Sequence, residues 1–159
     1  MKLLFTFTVV LLATFSALAQ AEPVKIQSVT IRGDARPGSN IVAIVSVQIE
    51  KGTYLQTQRP LSNRLTRTDV AVGPSQQVQI LPASFSSGRP KTITGFKEPV
   101  LVYEGGFSIT VPFAIYANAA LPATVPAVLI YQPTVGDVPQ AVKRLPFEIV
   151  IPNSPPKKP

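Results

Sequence analysis

The chain has 159 residues, 45% of them hydrophobic, with 15 Lys and Arg against 8 Asp and Glu, for a net charge of +7. Histidine, cysteine and tryptophan are absent, which removes thiol chemistry, the usual zinc, copper and iron ligand sets, and the Ser-His-Asp and Cys-His nucleophile systems. What remains for catalysis is scattered carboxylates, so the composition points away from an enzyme and from any cofactor, while the positive charge favours anionic surfaces.

In chain order, the first segment reads as an export signal. Lys2 precedes an apolar stretch from Leu3 to Leu12, broken by Thr6 and Thr8, and the small residues Ala17-Leu18-Ala19 follow. These are the basic, apolar and cleavage-site parts of a secretory signal. The apolar stretch falls short of the roughly 20 residues that a spanning helix needs. We expect a signal peptide at 1–19, cleaved after Ala19 or Ala21, and a periplasmic or secreted mature protein. No cysteine follows that could carry a lipid. Residues 20–152 then form one domain, and 153–159, ending Pro155-Pro156-Lys157-Lys158-Pro159, form a disordered tail.

The mature chain alternates with period two. Ile41, Ala43, Val45, Val47 and Ile49 alternate with Val42, Ile44, Ser46, Gln48 and Glu50, which predicts a strand with one buried face. Phe107, Ile109, Val111, Phe113 and Ile115 give the clearest strand, and Leu145, Phe147, Ile149 and Ile151 repeat the pattern. Shorter candidates are Val24 to Arg32, Thr53 to Thr57, Thr68 to Val72, Gln77 to Leu81, Pro99 to Glu104 and Ala127 to Gln132. About eight or nine short, mostly antiparallel strands separated by turn residues predict an all-β fold, a sandwich or barrel. Pro112 and Pro146 fall inside good strands, and proline cannot donate to a ladder. Each is expected on an edge or at a bulge, which favours an immunoglobulin-like β-sandwich over a closed barrel.

Two stretches lack clean alternation. Gln58 to Arg67 holds Arg59, Arg64 and Arg67, which on one extended loop would form a basic patch able to grip carboxylates or phosphates; the commoner role of such residues is a solvated face. Pro82 to Pro99 reads as a long loop with Gly88, Gly95, Arg89, Lys91 and Lys97. No basic–aromatic interleaving of the kind that stacks bases is visible, so no nucleic acid is expected.

From about Val29 to Ile151 the order of features resembles the N-terminal periplasmic domain of the thiol:disulfide interchange protein DsbD. Lys51-Gly52-Thr53-Tyr54 matches a Gly-aromatic turn. Gln58-Arg59-Pro60-Leu61 leads into Thr66-Arg67-Thr68. Val102-Tyr103-Glu104-Gly105-Gly106 is similar to a Val-Tyr-x-Gly segment, and Val128-Leu129-Ile130-Tyr131-Gln132 to a strand ending in Tyr-Gln. The resemblance implies an immunoglobulin-like sandwich, as the alternation does. It also implies a cysteine pair after Tyr-Gln, where this chain has Thr134 and Pro139. Disulfide exchange needs a thiolate, so that activity does not carry over.

In that family an aromatic cap loop covers the cysteines and opens when a partner docks, and Phe96 falls about where the cap aromatic lies. The resemblance therefore implies a docking face built from Phe96, Tyr103, Tyr131, Thr134 and Pro139. The other reading makes Phe96 a satellite core residue and Tyr131 an ordinary strand aromatic. The expected partner is an exported or membrane protein. The alternative is an anionic envelope surface, glycan or lipid headgroup, met by Arg59, Arg64 and Arg67.

Overall fold

In the computed structural model, which describes residues 22–58 and 65–154, the alternating runs are strands and no described residue is helical. The expected signal peptide and residues 155–159 of the tail lie outside the described residues. β1 (Val24–Arg32), β2 (Asn40–Ile49) and β9 (Gly106–Ile115) are long and antiparallel, with β5 (Val78–Ile80) and β6 (Ser84–Phe85) both pairing with β9. They form the first layer.

The second layer contains β10 (Ala123–Tyr131) flanked by β13 (Lys143–Ile151) and β4 (Asp69–Val72). It also contains β12 (Val138–Pro139), β11 (Pro133–Val135), β3 (Thr53–Gln56), β8 (Val100–Glu104) and β7 (Arg89–Lys91), paired in that order. Only Gln132 separates β10 from β11. β3 lies opposite β11, with Leu55 facing Pro133, and β4 lies opposite β10, with Asp69 facing Ile130. β3 and β4 thus run end to end along one side of the β10–β11 line. Their facing ends meet where the Thr68 N–H donates to the Gln56 carbonyl at 3.2 Å. The two smaller sheets are one bent layer, and the molecule is a two-layered antiparallel sandwich.

The predicted alternation is what fills it. Ile41, Ala43, Val45, Val47 and Ile49 from β2 and Phe107, Ile109, Val111, Phe113 and Ile115 from β9 are all buried. They meet Leu55, Val125, Ala127, Leu129, Ile149 and Ile151 of the opposite layer in one cluster. Each Val, Leu, Ile or Phe side chain among them contributes about 1.5–3 kcal/mol when taken from water.

Thirteen strands appear where about eight or nine are expected. The additional ones are β6 and β7, inside the predicted Pro82–Pro99 loop, and the β11–β12 hairpin, each too short for alternation to show. Pro146 lies on β13, an edge strand, as proline requires. Pro112 does not: β9 is interior. Its carbonyl accepts from the Leu81 N–H at 3.0 Å, so its nitrogen faces the same side, where the neighbouring strand is broken between β5 and β6. The missing donor therefore interrupts no ladder. Ser154, at the head of the expected tail, is tied to Ala35 through its N–H at 3.0 Å and its hydroxyl at 2.9 Å.

Candidate functional site

All four residues of β3 are buried, because both of its faces are covered. Leu55 points into the main core, and Tyr54 points outward. Directly opposed residues share a face, so the register sets Pro139, Thr134, Tyr54 and Glu104 in a row across the outer side of the second layer. Val100 and Val102 follow on the same face by alternation. Over this face runs a strap, residues 92–99, which links β7 to β8. Its Ile93 joins Tyr54, Val100 and Val102 in a small cluster separate from the main core, and Phe96 packs half-buried against it.

The strap, the hairpin and β3 meet on one carboxylate. Gly136 (φ 52) and Asp137 (φ 65) both take the left-handed conformation that a two-residue hairpin turn of type I′ requires. The turn aims Asp137 back over the sheet. Its Oδ1 accepts from the Tyr54 hydroxyl at 3.0 Å, and its Oδ2 from the Thr94 hydroxyl at 3.0 Å and the Thr94 N–H at 3.4 Å. Donation by the Thr94 hydroxyl, then by Tyr54 and the Thr94 N–H, holds the Asp137 carboxyl below the usual range. Burial, reinforced by the Asp137 carboxylate, pushes the Tyr54 phenol well above its ordinary value. Lys91 completes the cluster, with Nζ 3.1 Å from Glu104 Oε1 and 5.0 Å from the centre of the Tyr54 ring.

The residues expected to form a docking face divide between two environments. Phe96, Thr134 and Pro139 lie on the outer side of the second layer, and Thr134 and Pro139 are cross-strand partners, 2% exposed and exposed respectively. Tyr103 and Tyr131 project into the main core. Tyr103 stacks on Phe107 with ring centres 4.2 Å apart. Tyr131, 1% exposed, donates to Glu22 Oε2 at 3.3 Å, the oxygen that also takes Lys143 Nζ at 2.8 Å. Arg59 and Arg64 lie outside the described residues. Arg67 is exposed and paired with Asp69 at 3.1 Å.

Nothing in their residue types marks Asp137, Thr94 and Tyr54 as members of one cluster. The only sequence signal is Gly136-Asp137 as a turn. At the hairpin tip Val135 and Val138, opposite one another, are 46% and 59% exposed. Behind the tip, on the opposite face from Asp137, is a cleft of about 550 Å³ bordered by Lys51, Thr53, Pro133, Val135, Gln140 and Lys143. Among the described residues no three carboxylates gather as a metal ion would require.

No family model matches the chain, and no curated protein matches it. Among solved structures it is similar to the N-terminal domain of DsbD from Neisseria meningitidis in the reduced form, with 20% identity, 77% of this chain and 83% of that chain covered, and a TM-score of 0.45. It is also similar to a structure of the complex between the DsbD and PilB N-terminal domains of the same organism, with 21% identity, coverage of 67% and 73%, and a TM-score of 0.46. Both structures are of the domain that the sequence resembles. This chain has no cysteine, so it holds no thiol for thiol–disulfide exchange.

Proposed function

We propose that this chain is an exported, non-catalytic module that binds an exported or membrane protein through the β11–β12 hairpin and the strap beside it. The observation that carries the reading is the construction of that corner. An apolar patch is set apart from the main core, covered by a strap rather than by a strand, and fastened to a hairpin whose tip displays two valines. Val135 and Val138, facing one another at the tip, offer a partner an apolar contact point continuous with no other strand. The composition supports the absence of catalysis, since neither thiol nor imidazole is available. Export is supported by the apolar start and the small residues at Ala17-Leu18-Ala19. Arg67, its charge already met by Asp69, gives no support to an anionic-surface reading.

The test uses the mature domain and a variant carrying Val135→Asp and Val138→Asp, both at exposed positions where the fold tolerates charge. Immobilised parent domain should recover a reproducible protein partner from an envelope extract, and the variant should lose it while keeping the parent's β-sheet circular dichroism. Recovery of the same proteins by both would remove the hairpin from the reading.

A further inference from the structure

The outer face of the β4–β10–β13 sheet is apolar where a sandwich ordinarily turns polar side chains to water. The register sets Asp69, Ile130 and Arg144 in one row across it, Ala71, Val128 and Pro146 in the next, and Pro126 and Glu148 in the third. Val128 and Ile130 are half-buried, and Ala71, Pro126 and Pro146 are exposed. The run Val128-Leu129-Ile130 lacks alternation because both faces of β10 are apolar.

Along β13 the same face has an order of its own. Val142, one residue before the strand, Arg144, Pro146, Glu148 and Val150 point outward by alternation and are all exposed, the two valines at 48% and 54%. From Pro146 in either direction comes a charged residue and then a valine, the charge a cation on one side and an anion on the other. Arg144 and Glu148 stand about 13 Å apart along the strand, and neither is ion-paired among the described residues. An apolar patch with opposite charges at equal distances from its centre is complementary to itself. A two-fold axis parallel to the sheet, running along the row of Ala71, Val128 and Pro146, lays β13 on its copy in the opposite direction. Arg144 then meets Glu148 of the second copy, and the reverse contact follows. Val128 packs on its own copy, Ile130 on Pro126, and Val142 on Val150.

We propose that this face is an interface between two copies of the chain, a two-fold dimer with Arg144 and Glu148 paired across it. Both copies use the same patch, so assembly stops at two. The contact buries the face of the sheet and leaves the edge of β13 free. Three strands make a narrow patch, which suits a small interface in exchange with the monomer. It lies apart from the hairpin and the strap, and the dimer needs no other partner.

The experiment is sedimentation equilibrium on the mature chain over a range of concentrations. The parent should rise from monomer to dimer and level there. Arg144→Glu makes the face anionic at both ends, and Glu148→Arg makes it cationic at both. Both positions are exposed, so the fold carries either change. Each variant alone should dimerise roughly a hundredfold more weakly, because like charges set face to face cost affinity steeply and the axis repeats each clash. An equimolar mixture of the two should recover the dimer, since an anionic face then meets a cationic one. A parent that stays monomeric up to its solubility limit overturns the proposal. So do single variants that dimerise as the parent does, and so does a mixture no heavier than its components.

Discussion

Asp137 carries a pH signature whose sign follows from its bonds. Its carboxyl lies below the usual range in the folded chain, chiefly because the Thr94 hydroxyl donates to it. Its contribution is therefore present above the unfolded value of about 4 and is lost as pH falls through the lower folded value. Amide hydrogen exchange at 93–96 should rise on acidification in the parent, with no such step in Asp137→Asn; matching acid profiles for the two would refute the assignment. Tyr131 has the opposite sign. Burial first, and then the charge of Glu22, push its phenol up to about 12. The stabilisation by the neutral ring is complete below the unfolded value of about 10 and disappears as pH rises through about 12. Tyr131→Phe should flatten the alkaline limb of a stability–pH curve, and an unaltered limb would show that other groups set it. The role of Asp137 was not legible in the sequence, and that of Tyr131 stood between a docking face and an ordinary strand aromatic, the second being what the core position supports. Tyr131 and Tyr103 end unbroken apolar runs, Val128 to Tyr131 and Val100 to Tyr103, so no alternation reveals which way they face. Asp137 meets Thr94 across 43 residues, a separation that local pattern does not bridge.

At the scale of elements, what could be read depended on length. β2, β9 and β13 are nine or ten residues long, enough for a period of two to declare itself, and their buried faces follow the predicted residues. β6, β7, β11 and β12 have two or three residues each and owe their pairing to neighbours rather than to their own pattern. The hairpin makes a sharp prediction. Thr134 and Pro139 are register partners, and directly opposed Cα atoms of an antiparallel pair lie about 4.5–5.5 Å apart, inside the span a disulfide bridges. A chain carrying both Thr134→Cys and Pro139→Cys should lose its two free thiols under mild oxidation. If both remain titratable, β11 and β12 do not pair in this register. Where segments approach most closely, glycine is required. At Gly88 a Cβ would collide with Thr57 Cγ2 and come within 2.9 Å of the Val102 carbonyl. Gly88→Ala should lower stability by about 1–3 kcal/mol in denaturant unfolding, and a neutral result would mean that the crossing from β6 to β7 has slack.

For the whole molecule, two layers leave free edges, and four edge strands among the described residues carry obstacles to strand addition. Pro146 stands on β13, Pro139 on β12 and Pro90 on β7, while the register of β1 shifts between Ile26 and Ser28. Proline and irregular register are the means by which sandwiches avoid pairing with copies of themselves. Pro146→Thr should fold but associate edge to edge, detectable by light scattering as a mass rising past the parent's at increasing concentration; a variant no heavier than the parent would show that the edge is protected by other means.

The junction of β3 and β4 has a different bearing. Its two ends abut, pinned by Thr68 and Gln56, and the strands on either side already lie in one line. Residues added between Gln58 and Leu65 over evolutionary time would leave both flanks in place, because the Gln56–Thr68 hydrogen bond aligns β3 with β4 whatever length lies between. A lineage can vary its reach there freely, and an engineer could graft a foreign peptide at the same point.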